Sequence, residues 1–351
     1  MTQALTIDID GQQFMAFPGD RLLDAALLGG FAMPNDCRSG RCGTCVVRLL
    51  AGHVQGGEAN QPGLFHACRT IVRSSLKLSL AREPAATPRV SPSRGVVAAT
   101  TELTRDVVEV TVAHDAATAF TWRPGQYTHV TFAGFPARPF SPTMALDGTD
   151  RPGTFRQHIK RIDGGRVSPE IGRRIRPGLA LALEGPFGRS ALQPGFTGRL
   201  VLFSSGTGFA PMWAIADAAL RENSSRRMVV VAGADALENL YMAEALERLS
   251  ACPNVVILPV TAEPQAYTPK IRSGALIDYA SMIAPGDRVH AAGPPAVLQA
   301  LGAYASRVGA TFHADPFTPG ASAEDRWLGE IARQFANPNP HSAAAADGAR
   351  R

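Results

Sequence analysis

The chain has 351 residues, 45% of them hydrophobic and 19% charged, which suits two or three globular domains rather than one. Its net charge of +5 and pI near 9.2 come from scattered basic residues, too few and too evenly spread to call for nucleic acid. The start, Met1–Asp8, has no basic cluster followed by an apolar run, and Leu200–Phe203 and Met228–Gly233 fall far short of the ~20 residues of a membrane span. A cytoplasmic protein with no membrane partner is expected. Thiols stay reduced there, so clustered cysteines point to metal rather than to disulfides.

Four of the five cysteines lie in the first ~85 residues. Thr6–Asp10 and Gln12–Phe17 around Gly11 predict a hairpin on an Asp-Gly turn. Pro18-Gly19-Asp20 opens a predicted helix, Arg21–Leu28, which Gly29-Gly30 ends. A cysteine loop follows, then an apolar strand, Cys45–Leu50. Cys37, Cys42 and Cys45 are spaced x4 and x2, with Cys68 some twenty residues on, the plant-type [2Fe–2S] pattern. Gly40 and Gly43 let the loop fold close around a cluster and aim N–H groups at its sulfurs. Arg38 and Arg41 put positive charge beside a centre that gains an electron, and are candidate docking charges. Structural zinc is the competing reading, but its usual second close Cys pair is missing. Cys252 stands apart as an ordinary thiol.

Glu83–Arg94 holds three prolines and no periodicity, the mark of an exposed, stiff linker. Val107–Ala113, Tyr127–Phe132 and Phe155–Arg161 are short β-type runs separated by Pro and Gly, as in a barrel or sandwich. From Arg199 the text alternates strand, glycine turn and helix. Leu200–Phe203, Met228–Ala232, Val255–Pro259 and Arg288–Ala291 are spaced as parallel strands of a doubly wound sheet. Ser322–Ala336 sets Trp327, Ile331 and Phe335 at helical spacing, and the tail beyond reads as disordered.

On the cysteine motif and this order of parts, the chain resembles the ferredoxin–NAD(P) reductase superfamily with an N-terminal plant-type ferredoxin, and in particular the reductase components of aromatic-ring-hydroxylating, naphthalene-dioxygenase-type dioxygenases. The resemblance covers residues 1 to about 320. It implies a multidomain α+β and α/β fold: a β-grasp [2Fe–2S] domain (1–84), a linker (85–94), an antiparallel β-barrel for FAD (95–195) and a doubly wound parallel-sheet NAD domain (196–320). Residues 321–351 form the helix and tail. Arg138-Pro139-Phe140-Ser141 resembles the family's Arg-x-Tyr-Ser signature, which implies that Arg138 meets flavin phosphate, Phe140 packs on the isoalloxazine and Ser141 reaches N5. Phe140 stands where tyrosine is usual, so a hydroxyl is lost. His158-Ile159-Lys160-Arg161 resembles the strand beside the flavin's ribityl and adenosine side. Gly164-Gly165-Arg166-Val167-Ser168 resembles a turn opening a helix, whose N–H donors suit a diphosphate and so favour FAD over FMN. Glu184-Gly-Pro-Phe-Gly188 matches the turn that closes this domain.

Gly206-Thr207-Gly208-Phe209-Ala210-Pro211 lies between strand and helix, where glycines let backbone approach a pyrophosphate and Pro211 suits the first helical turn. Asp235, beyond the next strand, can accept from a ribose 2′-OH and would repel a 2′-phosphate, which favours NADH. Ala292-Gly293-Pro294-Pro295 resembles the family's Cys-Gly-Pro-Pro turn near the nicotinamide, with alanine for the cysteine. His313-Ala-Asp-Pro-Phe317 resembles the terminal segment in which an aromatic, here Phe317, covers the flavin. The resemblance implies an NADH-dependent reductase that passes electrons through FAD and a [2Fe–2S] cluster to a terminal oxygenase component or a separate ferredoxin. A monomer is expected. A diiron monooxygenase or a sugar dehydratase as acceptor, or a non-catalytic electron carrier or adaptor, are the other readings.

Overall fold

The computed structural model describes residues 4–31, 33–35, 40, 43–59, 61–81, 93–114, 120–149, 152–188, 190–263 and 271–317. Cys37, Cys42, Arg38, Arg41, most of the linker, and Ser322–Ala336 with its tail lie outside the described residues. Two compact units divide the chain, residues 1–89 and 90–351.

In the first unit β1 (Leu5–Ile9) and β2 (Gln12–Ala16) form the expected hairpin. Asp10 and Gly11 have φ of 50° and 85°, the left-handed pair that a two-residue hairpin turn of this type requires. Helix α1 (Leu22–Leu28) follows, then β3 (Val46–Ala51), β4 (Val54–Gln55), β5 (Leu64–His66), β6 (Ile71–Val72) and β7 (Leu76–Leu80). The main sheet runs β2-β1-β7-β3-β5, with β1 and β7 parallel and its other pairs antiparallel. Alternation along β1 buries Ile7 and Ile9 against Leu22, Leu23, Val47 and Leu78. A mixed sheet with one helix packed on it is the β-grasp arrangement expected here.

The second unit begins with β8 (Ser93–Glu102), β9 (Val107–His114), β10 (Tyr127–Phe132), β11 (Arg138–Phe140), β12 (Thr154–Lys160) and β13 (Ala180–Phe187). They form one antiparallel sheet, β11-β10-β13-β8-β9-β12. Its edges meet beyond β11, where Thr143 and Arg156 exchange backbone hydrogen bonds of 2.8 and 2.9 Å, so the sheet curls into a nearly closed barrel. Val97, Val110, Phe132, Phe155, Ile159 and Leu183 fill it.

The remainder is a parallel sheet: β14 (Leu200–Ser205), α2 (Phe209–Glu222), β15 (Met228–Ala234), α3 (Ala243–Ser250), β16 (Val255–Thr261), β17 (Arg272–Ser273), β18 (Arg288–Gly293), α4 (Pro295–Val308) and β19 (Thr311–Pro316). Strand order β17-β16-β15-β14-β18-β19 reverses direction of winding between β14 and β18, the place where open α/β sheets bind ligands. Cores lie on both faces of the sheet, as continuous apolar runs in buried parallel strands demand. The α2-side core takes in Val107, Leu146 and Leu192 from the barrel segment. Trp213, 1% exposed, donates Nε1–H to the Ala145 carbonyl (2.9 Å), and Thr143 Oγ1 donates to the Ala210 carbonyl (2.7 Å). Barrel and parallel sheet are therefore joined by core packing and by buried hydrogen bonds. No helix among the described residues is long and apolar enough to cross a membrane.

Candidate functional site

At the iron–sulfur end, Cys45 and Cys68 are 2% and 0% exposed. Cys45 sits in the turn that leads into β3, and its carbonyl accepts a 3.0 Å hydrogen bond from Ala67 N–H. The two cysteine segments thus run side by side. Gly40 and Gly43 have φ of 76° and 71°, a backbone that side-chain-bearing residues rarely adopt. Two buried thiol positions beside a left-handed glycine turn fit a cluster-binding loop. Cys252 is half-buried after α3 with Sγ 3.9 Å from the Arg248 carbonyl, well apart in sequence, as expected of an ordinary thiol.

In the barrel, Arg138, Pro139 and Phe140 form β11, the edge strand at the seam. Arg138 is half-buried, with Nη1 donating to the Ala137 carbonyl (2.9 Å). Phe140 lies half-exposed, its ring 6.4 Å from that of Phe132. Below it, Thr128 Oγ1 donates to the Phe140 carbonyl (3.2 Å) and receives Gln157 Nε2–H (3.4 Å). The Oε1 of fully buried Gln157 has no donor among the described residues. A half-exposed aromatic, a half-buried guanidinium and an orphaned amide acceptor at one seam fit a flavin. Gly164–Ser168 is a turn in which Ser168 Oγ accepts from Ile162 N–H (3.0 Å). It opens only a three-residue 3-10 turn, Ser168–Glu170, not the expected helix, so no helix dipole backs its donors. Gly165 and exposed Arg166 lie in this turn, and Val167 is buried in the barrel core.

Along β12 the side chains diverge. Ile159 enters the barrel core, whereas His158 and Lys160 point to the parallel-sheet domain. His158 is fully buried between Glu109 Oε2 (3.3 Å to Nε2) and the Tyr241 hydroxyl (3.1 Å to Nδ1). Burial pushes its pKa down against the pull of Glu109. Burial opposes ionisation of Glu109, yet the His158 hydrogen bond and the Arg156 charge hold its pKa below the ordinary value. An ionised Glu109 only accepts, which fixes the proton on His158 Nε2 and leaves Nδ1 to accept from Tyr241. Burial pushes the Tyr241 hydroxyl pKa upward, so it stays a donor. Lys160 Nζ lies 3.5 Å from Asp235 Oδ2. The two residues of the sequence motif thus reach across to the nicotinamide side.

At the winding reversal the chain is tightly apposed. Gly206 has φ of 53°, and a Cβ on Gly208 would stand 2.4 Å from the Ala292 carbonyl oxygen. Gly293, φ 151°, faces Ser205, whose Cβ would lie 2.9 Å from a Cβ placed there. Only glycine lets the two strand ends meet, the geometry a pyrophosphate-binding turn needs. Thr207 is half-buried beside it, Pro211 is buried in the first turn of α2, and Pro294 precedes α4. Asp235 follows β15 directly; its Oδ1 accepts from Asn239 Nδ2 (2.7 Å), and this hydrogen bond, with the charge of Lys160, holds its pKa low.

Four of the expected residues converge. Ser141, 7% exposed, donates from Oγ to Asp315 Oδ2 (3.1 Å). Two residues on, Phe317 N–H donates to the Gly293 carbonyl (2.9 Å), and its side chain packs half-buried against the α2-side core. Ala292, 1% exposed, lies beneath. Ser141, the turn at Ala292–Pro295 and Phe317 are therefore held at one point by β18 and β19. Asp315 lies inside the His313–Phe317 motif without having been expected at the site; a carboxylate two residues before Phe317 was the available signal. Tyr241 and Glu109 carried none.

Residues 5–73 match the family described as "2Fe-2S iron-sulfur cluster binding domain", 94–191 the "Oxidoreductase FAD-binding domain" and 202–301 the "Oxidoreductase NAD-binding domain". Over 320 residues the chain is 30% identical to the ferredoxin–NAD(P)(+) reductase component of the naphthalene 1,2-dioxygenase system of Pseudomonas putida, covering 86% of this chain and 94% of that one. It is 27% identical to reductase component 1 of terephthalate 1,2-dioxygenase from a Comamonas species, covering 87% and 94%. Among solved structures, a cytochrome P450 reductase of Amycolatopsis superposes with a TM-score of 0.70 at 26% identity, covering 90% of this chain and 100% of that one. The order of the three matched domains and the near full-length likeness agree: the chain belongs to the ferredoxin–NAD(P)(+) reductase components of oxygenase systems, oxidoreductases built on a [2Fe–2S] cluster, FAD and NAD.

Proposed function

We propose that this chain is the NADH-dependent reductase of an aromatic-ring oxygenase, a cytoplasmic monomer that hands electrons to the oxygenase component directly or through a separate ferredoxin. The convergence of Ser141, Asp315, Gly293 and Phe317 carries the reading. FAD, if bound at this seam, would supply acceptance of a hydride from the reduced nicotinamide and release of single electrons toward the cluster. Arg138 neutralises flavin phosphate, with Pro139 and Phe140 shaping the seam beside it. Ser141, its hydroxyl oriented by the Asp315 carboxylate, would serve flavin N5. Phe317 covers the flavin face and yields it to the nicotinamide. Gly206, Thr207 and Gly208, with Gly293 and Pro294, let the backbone close on the dinucleotide. Asp235 accepts from the adenosine ribose. Cys37, Cys42, Cys45 and Cys68 hold the cluster. Hydride transfer needs neither a thiol at Ala292 nor a hydroxyl at Phe140.

An anaerobic visible spectrum before and after NADH tests this. Flavin and cluster bands both bleaching on NADH, with electrons then passing to an aromatic-ring oxygenase or its ferredoxin, is the expected result. Cluster absorbance without flavin, or no response to NADH, overturns the reductase reading. Bleaching with transfer only to a diiron hydroxylase or a dehydratase overturns the choice of acceptor.

A further inference from the structure

Three buried polar side chains where the barrel meets the parallel sheet take no part in the chemistry proposed above, yet they form one continuous chain. Glu109 of β9 stands directly opposite His158 of β12 in the strand pairing. Its Oε1 accepts from Arg156 Nη1 and its Oε2 from His158 Nε2–H (3.3 Å), and His158 Nδ1 accepts from the Tyr241 hydroxyl (3.1 Å). Glu109, His158 and Tyr241 are 5%, 6% and 8% exposed. Apolar side chains of similar size would often hold two domains together at less cost, since each of these groups gives up water on burial. What a fully met polar chain adds is direction, because it fixes where its last hydroxyl stands.

That hydroxyl belongs to the segment between β15 and α3. Alternate residues of a strand share a face, so β12 turns Arg156, His158 and Lys160 outward while Phe155 and Ile159 enter the barrel core. His158 holds Tyr241 at the far end of the 235–241 segment, and Lys160 Nζ lies 3.5 Å from Asp235 Oδ2 at its near end. Between them Asp235 Oδ1 accepts from Asn239 Nδ2 (2.7 Å) and from Ala236 N–H (3.1 Å), which folds the segment on itself. The Tyr241 ring also meets Phe209 edge-on, with 6.3 Å between centroids at 86°, and Phe209 directly follows Gly208 of the glycine turn. One side chain therefore touches both the barrel strand and the start of α2, while its backbone carries the segment that holds Asp235. The Lys160–Asp235 pair is largely exposed and weak by itself. The buried bond is the firmer of the two ties.

We propose that Glu109, His158 and Tyr241 form a positioning relay that sets the 235–241 segment against β12 before the dinucleotide arrives. The inference rests on the reading of Asp235 as the adenosine-ribose contact, and it gives His158 a role on the nucleotide side. A segment already in place loses little further freedom when NADH binds, so the cost of ordering it does not weaken the affinity. The relay acts on the adenosine half of the dinucleotide and leaves the reacting half alone.

Stopped-flow reduction of the flavin-loaded full chain by NADH and by reduced nicotinamide mononucleotide, which lacks the adenosine half, tests the relay. Tyr241→Phe keeps the ring and removes one hydrogen bond. Half-saturation by NADH should then rise roughly fivefold, with the limiting rate and the kinetics of the mononucleotide unchanged. Competitive inhibition by ADP-ribose should weaken by the same factor. An equal loss with both reductants, a lowered limiting rate alone, or no change with either overturns the proposal. The response of the unaltered protein to NADH reports on the reductase reading by itself, whereas the relay is judged by the ratio of variant to unaltered protein. If Tyr241→Phe loses its flavin, hydrogen exchange of the unaltered flavin-loaded chain decides. Protection of residues 235–242 without nucleotide supports the relay, and protection that appears only with ADP-ribose overturns it.

Discussion

The two ends of the parallel sheet bring strands β14, β15 and β18 together in opposite ways. Where the strands finish, Gly208 and Gly293 remove side chains so that backbone meets backbone, and the polar contacts that remain are satisfied in pairs: Ser141 with Asp315, Phe317 N–H with the Gly293 carbonyl. Where they start, Arg226 and Arg288 supply long cationic side chains, Arg226 paired with Glu222 and Arg288 stacked on the Phe196 ring, whose Nε and Nη1 meet no acceptor among the described residues. The finishing end is shaped by what is absent from the side chains, and there even an added Cβ at Gly208 or Gly293 is refused sterically. The starting end is shaped by charge and by the burial of His290. One end is shaped by fit, the other by charge.

Removing the Ser141 oxygen attacks the finishing end most directly. Ser141→Ala is expected to slow NADH-driven flavin reduction on the order of 10²-fold, the loss associated with one preorganised polar group at a reacting centre. Stopped-flow absorbance reads it, and a change under about threefold would mean that Asp315 holds Ser141 for structure alone. Gly208→Ala comes next. Its Cβ meets the Ala292 carbonyl oxygen at 2.4 Å, so the strand ends must part at a cost of about 1–3 kcal/mol. Chemical denaturation together with a raised KM for NADH would show it, and unchanged values for both would break the steric account.

Asp235→Ser addresses selection. With the carboxylate gone and Lys160 still in place, the ratio of kcat/KM for NADPH over NADH should rise about tenfold, equivalent to roughly 1.4 kcal/mol. A flat ratio would move the ribose contact elsewhere.

The starting end supplies the smallest effect. His290 is neutral when folded, its pKa pushed down to about 3, chiefly by burial and then by His313 and Arg288, against an ordinary value near 6.5 when unfolded. Between these values the unfolded chain binds the extra proton. Stability is therefore whole above pH 6.5 and falls as pH drops toward 3, by at most about 1.4 kcal/mol per pH unit from this group. His290→Gln should flatten that slope between pH 6.5 and 5, measured by denaturation at each pH. An unchanged slope would place the proton uptake on other groups.

Sequence patterning predicted four parallel strands, and each one runs two residues further than its apolar stretch. Leu200–Phe203 extends to Ser205, Met228–Ala232 to Ala234, Val255–Pro259 to Thr261 and Arg288–Ala291 to Gly293. Those added residues are largely serine, glycine and threonine, which break an apolar run, whereas the backbone ladder continues through them, as Ser205 opposite Gly233 and Gly293 opposite Pro316 attest. Hydrophobicity marks where a strand is buried, and it stops short of the end where the site is built. β19 escaped notice for a related reason, since it is an edge strand with mostly half-exposed residues. The cysteine spacing and the glycine turns were legible because their partners are local. Lys160 with Asp235, His158 with Tyr241 and Ser141 with Asp315 depend on how the barrel seats against the sheet, at separations of 75, 83 and 174 residues. No short-range pattern encodes them.

The contacts across that seat also decide how the protein comes apart. Trp213 and Thr143 bond backbone carbonyls in opposite directions across it, and Val107, Leu146 and Leu192 belong to the same core as α2. The flavin and nicotinamide domains consequently cannot lose their cores one at a time. Three modules by sequence are two by cooperativity, and a heating trace should resolve the iron–sulfur domain from a single larger transition in which both nucleotide-binding folds melt together.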